Sequence, residues 1–235
     1  AAFERAAELQ PDSTAPLARL AELYLARRET LKAHAVLRKA LEVNPSEAKP
    51  YRLMAGLSWQ RGDLADARRW YTQAARRQVP DGETAEEIGR FLRDAKAFVE
   101  SSEYLRSAIS QGGGERRALV VVYAQVLEEL KEPSSAEQVW AFGMRQFPDD
   151  PVFPTRLGEL LLAQDRLAEA ASFFEQALLK DSDVPEAHVG LGRIALRHGE
   201  REAAAQHLKR GLRSDPYHQE ALKLLDELKH QHTEA

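Results

Sequence analysis

A period of 34 residues runs through this chain and limits its fold more than any other feature. Gln10-Pro11 follows Ala6-Ala7-Glu8-Leu9, and Asn44-Pro45 follows Ala40-Leu41-Glu42-Val43, with the two prolines 34 positions apart. Phe147-Pro148 and Asp215-Pro216 lie 68 apart, two periods. Pro45 and Pro148 are separated by 103, three periods plus one residue, and Gln111-Gly112-Gly113-Gly114 is the natural place for the insertion. A small residue recurs in register at Ala33, Ala67, Ser101, Ala136, Ala170 and Ala204. Four positions on stand Leu37, Tyr71, Leu105, Trp140, Phe174 and Leu208, and three further on Ala40, Ala74, Ala108, Gly143, Ala177 and Gly211. Spacings of three and four put all three columns on one face of a helix.

A second set of columns precedes the first: Leu20-Ala21, Met54-Ala55, Ile88-Gly89, Tyr123-Ala124, Leu157-Gly158 and Leu191-Gly192. Each period therefore holds two helices, and a lone pair cannot bury its apolar faces without stacking on its neighbours. Gly62, Asp165 and Gly199 fall where the first helix of a pair must stop. Leu119-Val120-Val121-Val122-Tyr123 has the β-branched composition of a strand. The register overrides that propensity, because Ala124, Leu127 and Ala136 continue the helical columns.

These columns resemble the tetratricopeptide repeat, whose pattern is W-x2-L-G-x2-Y…A-x3-F…P over 34 residues. The resemblance covers essentially the whole chain of 235 residues. It departs at the opening aromatic position, occupied by Leu17, Tyr51, Ala85, Val120, Pro154 and His188, and at the terminal proline, replaced by Val79, Gly113 and Ser182. The resemblance implies an all-α, right-handed superhelical solenoid of antiparallel helix pairs. Its repeats are expected at 14–47, 48–81, 82–116, 117–150, 151–184 and 185–218, after a half repeat at 1–11 and before a capping helix at 219–235 with Ala221, Leu222 and Leu225 facing inward. A joint is expected at 111–115.

Charge and composition remove several classes of function. Residues 1–117 carry a net +3 and residues 118–235 a net −7, so neither half has the basic surface that binds nucleic acid. There is no cysteine, hence no thiol nucleophile, redox pair or cysteine zinc site. The longest apolar run, Ala118 to Ala124, is about a third of a membrane span, so no direct membrane insertion is expected. The start, Ala1-Ala2-Phe3-Glu4-Arg5, has neither an initiator Met nor the layout of a secretory signal and reads as a processed or excised chain. It leaves cytoplasm and periplasm both open, and residues 1–11, expected as the second helix of a repeat whose first helix is missing, invite upstream repeats, a partner or self-association there.

No catalytic residue, cofactor or metal site is indicated. Asp149-Asp150, Glu86-Glu87 and Glu128-Glu129 are paired carboxylates, but acid–base work needs a pocket that drives two pKa values apart. His230 and His232 lack a third ligand. Gly112-Gly113-Gly114 is preceded by a helix and followed by Glu115-Arg116-Arg117 where a phosphate loop needs a strand and Gly-Lys-Ser/Thr. Trp140 belongs to the core column, and Trp70, beside it, is expected on the outer, convex side.

The resemblance implies a concave stripe on the first helix of each repeat, where an extended peptide or a partner helix lies. In register it comprises Lys49, Arg52, Gly56 and Trp59; Glu83, Glu86, Arg90 and Arg93; then Gln125 and Glu128, Glu159, and Arg193. Lys49, Arg52, Trp59, Glu86, Arg90, Arg93, Gln125, Glu159 and Arg193 are the candidate partner-binding residues, with Arg90 and Arg93 expected to hold acidic groups. The family's heat-shock chaperone carboxylate site needs a Lys and an Asn where the first repeat has Ala18 and Glu22, which excludes a co-chaperone. The expected function is a non-catalytic scaffold that binds a protein or peptide in a bacterial assembly or export complex. The alternatives are a self-associating solenoid, or the helical arm of a larger enzyme or exopolysaccharide export protein.

Overall fold

The computed structural model describes residues 13–230 together with Arg5. The half repeat expected at 1–11 and the end of the chain after His230 lie outside the described residues. Residues 13–230 form thirteen α-helices and one short 3-10 turn, with no strand among them. Two compact units part between Gly112 and Gly113. The first unit contains α1 (Thr14–Ala26), α2 (Thr30–Val43), α3 (Ala48–Gln60), α4 (Leu64–Arg77), α5 (Gly82–Asp94) and α6 (Phe98–Ser110). The second contains the 3-10 turn Gly113–Glu115, α7 (Arg117–Glu129), α8 (Pro133–Gln146), α9 (Val152–Ala163), α10 (Leu167–Lys180), α11 (Pro185–Arg197), α12 (Arg201–Ser214) and α13 (Gln219–His230). The β-branched run 119–123 is helical, inside α7.

Within each unit successive helices pair antiparallel, and the turn inside each pair has one design. Arg28, Gly62, Lys96, Lys131, Asp165 and Gly199 all adopt a positive φ, between 57° and 81°. The next N–H reaches back over this residue to the helix it ends: Glu29 to the Tyr24 carbonyl (2.8 Å), Asp63 to Ser58 (3.0 Å), Ala97 to Leu92 (2.8 Å), Glu132 to Leu127 (3.0 Å), Arg166 to Leu161 (3.0 Å) and Glu200 to Ala195 (2.8 Å). This six-to-one bond is the Schellman stop, which satisfies carbonyls that a helix end otherwise leaves bare. Gly62, Asp165 and Gly199 mark it in the sequence, whereas Arg28, Lys96 and Lys131 adopt the same conformation without a residue type that announces it.

The small column forms the closest packing. Ala33, Ala67, Ser101, Ala136, Ala170 and Ala204 are all fully buried, as are Leu37, Leu105, Trp140, Phe174 and Leu208 beside them. A Cβ added at Gly89 would lie 2.7 Å from the Leu105 side chain, at Gly158 2.7 Å from Phe174, and at Gly192 2.9 Å from Leu208. Such distances leave no room for a methyl group, so glycine stands where the facing side chain presses on the helix backbone. Ser101 keeps its buried hydroxyl satisfied by donating to the Gly89 carbonyl at 2.7 Å.

Two side chains sit elsewhere than expected. Trp70 is half-buried and not on an outer face: its ring lies 5.9 Å from that of Tyr51, and its indole N–H donates to Asp66 at 2.9 Å. It also packs against Leu37 and Met54 of the core, so the large side chain turns inward to cover apolar surface. In α13 Leu222 is 43% exposed, whereas Ala221 and Leu225 face inward as expected, together with Leu224 and Leu228. Leu228 lies seven residues, two helical turns, beyond Ala221, which places both on the packed side.

His188 replaces the opening aromatic of its helix yet keeps that position's bond. Tyr51 donates to the Pro45 carbonyl at 3.0 Å, and His188 Nε2 meets the Ser182 carbonyl at 3.1 Å, both six residues back. His207 packs beside it with ring centroids 5.8 Å apart, and the Nδ1 atoms of both rings are buried without a partner among the described residues. Burial pushes both rings below the ordinary histidine value of 6.5, and the Arg210 charge adds to it, against the opposing carboxylates of Asp183 and Glu175.

Two outcomes follow. Lys131→Gly should stabilise the second unit by about 1 kcal/mol, because a left-handed backbone costs a side chain that much and glycine little; Gly199→Ala, with open space around its Cβ, should destabilise by a similar amount. Urea unfolding followed by Trp140 fluorescence measures both. For the histidines the sign is set by the depressed folded pKa. Below about 6.5 the unfolded chain binds protons the folded chain refuses, so stability is present above that pH and lost as pH falls towards the folded values. His207→Phe should flatten the fall in urea midpoint between pH 7 and pH 5.

Candidate partner-binding surface

In the first unit the side chains named by register come together as interlocked pairs. Lys49 Nζ sits 2.8 Å from Glu22, and Arg19 reaches the other oxygen of the same carboxylate at 3.1 Å. Burial pushes Glu22 up, and Lys49 and Arg19 outweigh it, holding the carboxyl below its usual value. Arg52 donates to Glu87 at 2.8 Å, and Tyr71 donates to the other oxygen of Glu87 at 2.8 Å. Burial and the Glu87 charge push the Tyr71 phenol up, so it stays a hydrogen-bond donor at any working pH. Arg90 is held by Glu86 one turn back (2.9 Å from Nε) and Arg93 by Asp94 (2.7 Å from Nη2).

Trp59 is half-buried with its ring edge-on to Phe91, centroids 5.8 Å apart, and Phe91 in turn lies 5.0 Å from Tyr71. Two depressions open on this face. One, of about 400 Å³, includes Arg19, Glu22, Lys49, Arg52 and Glu83 in its lining. The other, of about 300 Å³, is lined by Trp59, Glu83, Glu86, Glu87 and Arg90. Glu83 is shared by both, in the first turn of α5, where a negative charge also meets the positive end of the helix.

In the second unit Glu128 accepts from the Trp140 indole at 2.6 Å and Glu159 from Arg156 at 2.7 Å, while Gln125 is half-buried. Burial raises the Glu159 carboxyl, Arg156 opposes it, and Glu186 and Glu128 add to the rise. Arg193 lies 3.4 Å from Glu220. Most of the candidate residues therefore lie in pairs on the first helices of the repeats. Glu87 and Tyr71, the hub of the first unit, escape a reading by register, since Glu87 stands between the packing face and the stripe and Tyr71 belongs to a core column. The one available signal was the adjacency of Glu86 and Glu87. His230 lies 3.4 Å from Asp226, and no group of three metal-binding side chains exists among the described residues.

Sequence profiles of the tetratricopeptide repeat match residues 18–83 and 161–228, together more than half of the chain. The chain belongs to the tetratricopeptide-repeat family, whose repeats are typically protein-binding and non-catalytic. It is 29% identical over 150 residues to the cellulose synthase operon protein C of Xanthomonas axonopodis pv. citri (strain 306). That match covers 61% of this chain and 10% of the relative, so the chain spans about a tenth of that protein. Among solved structures it is similar to PilF of Pseudomonas aeruginosa (TM-score 0.66, 21% identity, 91% of this chain and 97% of that one). A second is the C-terminal part of a repeat protein from Cytophaga hutchinsonii (TM-score 0.76, 15% identity, 94% and 91%). A third is PilW, described as a widely conserved type IV pilus biogenesis factor (TM-score 0.64, 17% identity, 90% and 98%). These likenesses show the fold. No helix among the described residues is long and apolar enough to cross a membrane.

Removing the hub carboxylate tests its weight. Glu87→Ala strands the nearly buried Tyr71 hydroxyl and frees Arg52, and should destabilise the first unit by about 1–3 kcal/mol, against less than about 1 kcal/mol for removing the more exposed Glu100 partner of Arg68. Urea unfolding read by Trp59 and Trp70 fluorescence compares the two.

Proposed function

We propose that this chain is a non-catalytic interaction scaffold that holds a peptide or partner helix along the stripe of first-helix side chains, within a bacterial assembly or export complex. One observation carries the reading. The polar side chains of three successive first helices in the first unit are tied together across repeats by Lys49–Glu22 and by Arg52–Glu87–Tyr71. Side chains fixed in this way lose little freedom when a partner docks, which is how a binding surface gains affinity without added contact area. The partner-binding residues under this reading are Lys49, Arg52, Trp59, Glu86, Arg90 and Arg93 in the first unit and Gln125, Glu159 and Arg193 in the second.

This setting is consistent with the cellulose synthase operon relative and with the type IV pilus biogenesis factor PilW of similar fold. The first of these favours a particular form of the reading, in which the chain is the repeat arm of a longer export protein. Repeats at 14–47, 48–81, 82–116, 117–150, 151–184 and 185–218, with the joint at 111–115, are the units of that arm.

Photo-crosslinking tests the surface. A benzophenone amino acid is placed at Glu83 or Gln125 on the stripe and, as control, at exposed Lys39 or Ser172 on second helices, in cells of the source bacterium. A specific adduct is expected from the stripe positions and not from the controls. An adduct only from the second-helix positions would overturn the reading.

A further inference from the structure

The pairs that hold the stripe of the first unit also decide which charge is left over. Lys49 is taken up by Glu22, Arg52 by Glu87, Arg90 by Glu86 and Arg93 by Asp94. The 300 Å³ depression is lined by three carboxylates, Glu83, Glu86 and Glu87, and the two guanidinium groups that reach them bind Glu86 and Glu87. Glu83 is exposed and has no hydrogen-bond or ion-pair partner among the described residues. Its carboxylate faces the same hollow as the half-buried Trp59 ring, which Phe91 fixes edge-on and whose indole N–H meets no acceptor among the described residues. The arrangement joins an aromatic wall, one surplus negative charge and room for a long side chain.

We propose that the Trp59–Glu83 hollow receives a single arginine or lysine side chain of the partner, its aliphatic stem along the indole and its cationic head at Glu83. Resting on the groove reading above, this gives the partner a chemistry: a basic residue at the point that seats on the first unit. The reversal from the expected acidic ligand comes from pairing. Arg90 and Arg93 already carry the carboxylates of Glu86 and Asp94, which offset their charge toward a second anion, whereas Glu83 meets no cation among the described residues. An indole face with an adjacent carboxylate favours a cation through both ring quadrupole and charge. The attraction is screened by salt, so the preference is strongest at low ionic strength.

The test uses the whole chain and three pentapeptides, acetyl-Ala-Ala-X-Ala-Ala-amide with X as arginine, citrulline or glutamate. The ¹H–¹⁵N signal of the Trp59 indole, assigned with Trp59→Phe, is followed by NMR at low salt. The arginine peptide is expected to shift it saturably, with the citrulline and glutamate peptides giving no saturable shift. Glu83→Gln, an exposed position that leaves the Glu86–Arg90 pair in place, should weaken arginine binding about fivefold. Equal binding of citrulline, tighter binding of glutamate, or unchanged arginine affinity in Glu83→Gln would overturn the proposal. Stripe crosslinks alongside a failed arginine titration would remove this chemistry alone and leave the groove reading standing, whereas loss of the crosslinks would remove the groove.

Discussion

The closeness of the helices at the small-residue columns is the constraint on which everything else rests. Where Leu105, Phe174 and Leu208 press within carbon contact of Gly89, Gly158 and Gly192, helix backbones approach as near as close-packed side chains allow. That approach buries the columns at Ala33, Ala67, Ser101, Ala136, Ala170 and Ala204 completely and leaves each helix one orientation about its own axis. Once the rotation is fixed, so is the direction in which every other side chain points. The stripe on the first helices is a consequence of that packing, since residues a quarter turn from the small column must face away from the neighbouring helix.

The turns enforce the same geometry from the ends. Six Schellman stops at a 34-residue interval, lengthened by one between Lys96 and Lys131, end the first helix of each pair with the same backbone turn. Four of the six use residues other than glycine, and the strain at those positions is offset by the tertiary packing that the turn makes possible. At Asp165 the side chain also pairs with Arg197 of the next repeat, so the turn serves as a contact between repeats as well as a stop.

Electrostatics then divides the surface into groups that are spoken for and groups that are not. Cations and carboxylates of comparable number meet across repeats, and one of these meetings, Arg52–Glu87–Tyr71, is half-buried and hydrogen-bonded on both carboxylate oxygens. Charges so engaged contribute shape and rigidity to a docking surface more than attraction. Among the charged stripe residues of the first unit, the one with no partner among the described residues is Glu83, beside Trp59. In the second unit the carboxylates of Glu128 and Glu159 are engaged by Trp140 and Arg156, and the buried rings of His188 and His207, with depressed pKa values, add a loss of stability as pH falls.

The sequence by itself determined the helix pairs, their period, the buried columns and the family, because each depends on spacing along one chain: 34 residues between repeats, three and four within a helix. It could not decide where Trp70 and Leu222 go, since an amphipathic position permits either side until neighbouring helices compete for it. Nor could it decide the sign of the surface left for a partner. Arg52 and Glu87 are 35 residues apart and Lys49 and Glu22 are 27 apart, distances at which only the stacking of one repeat on the next determines which charges meet.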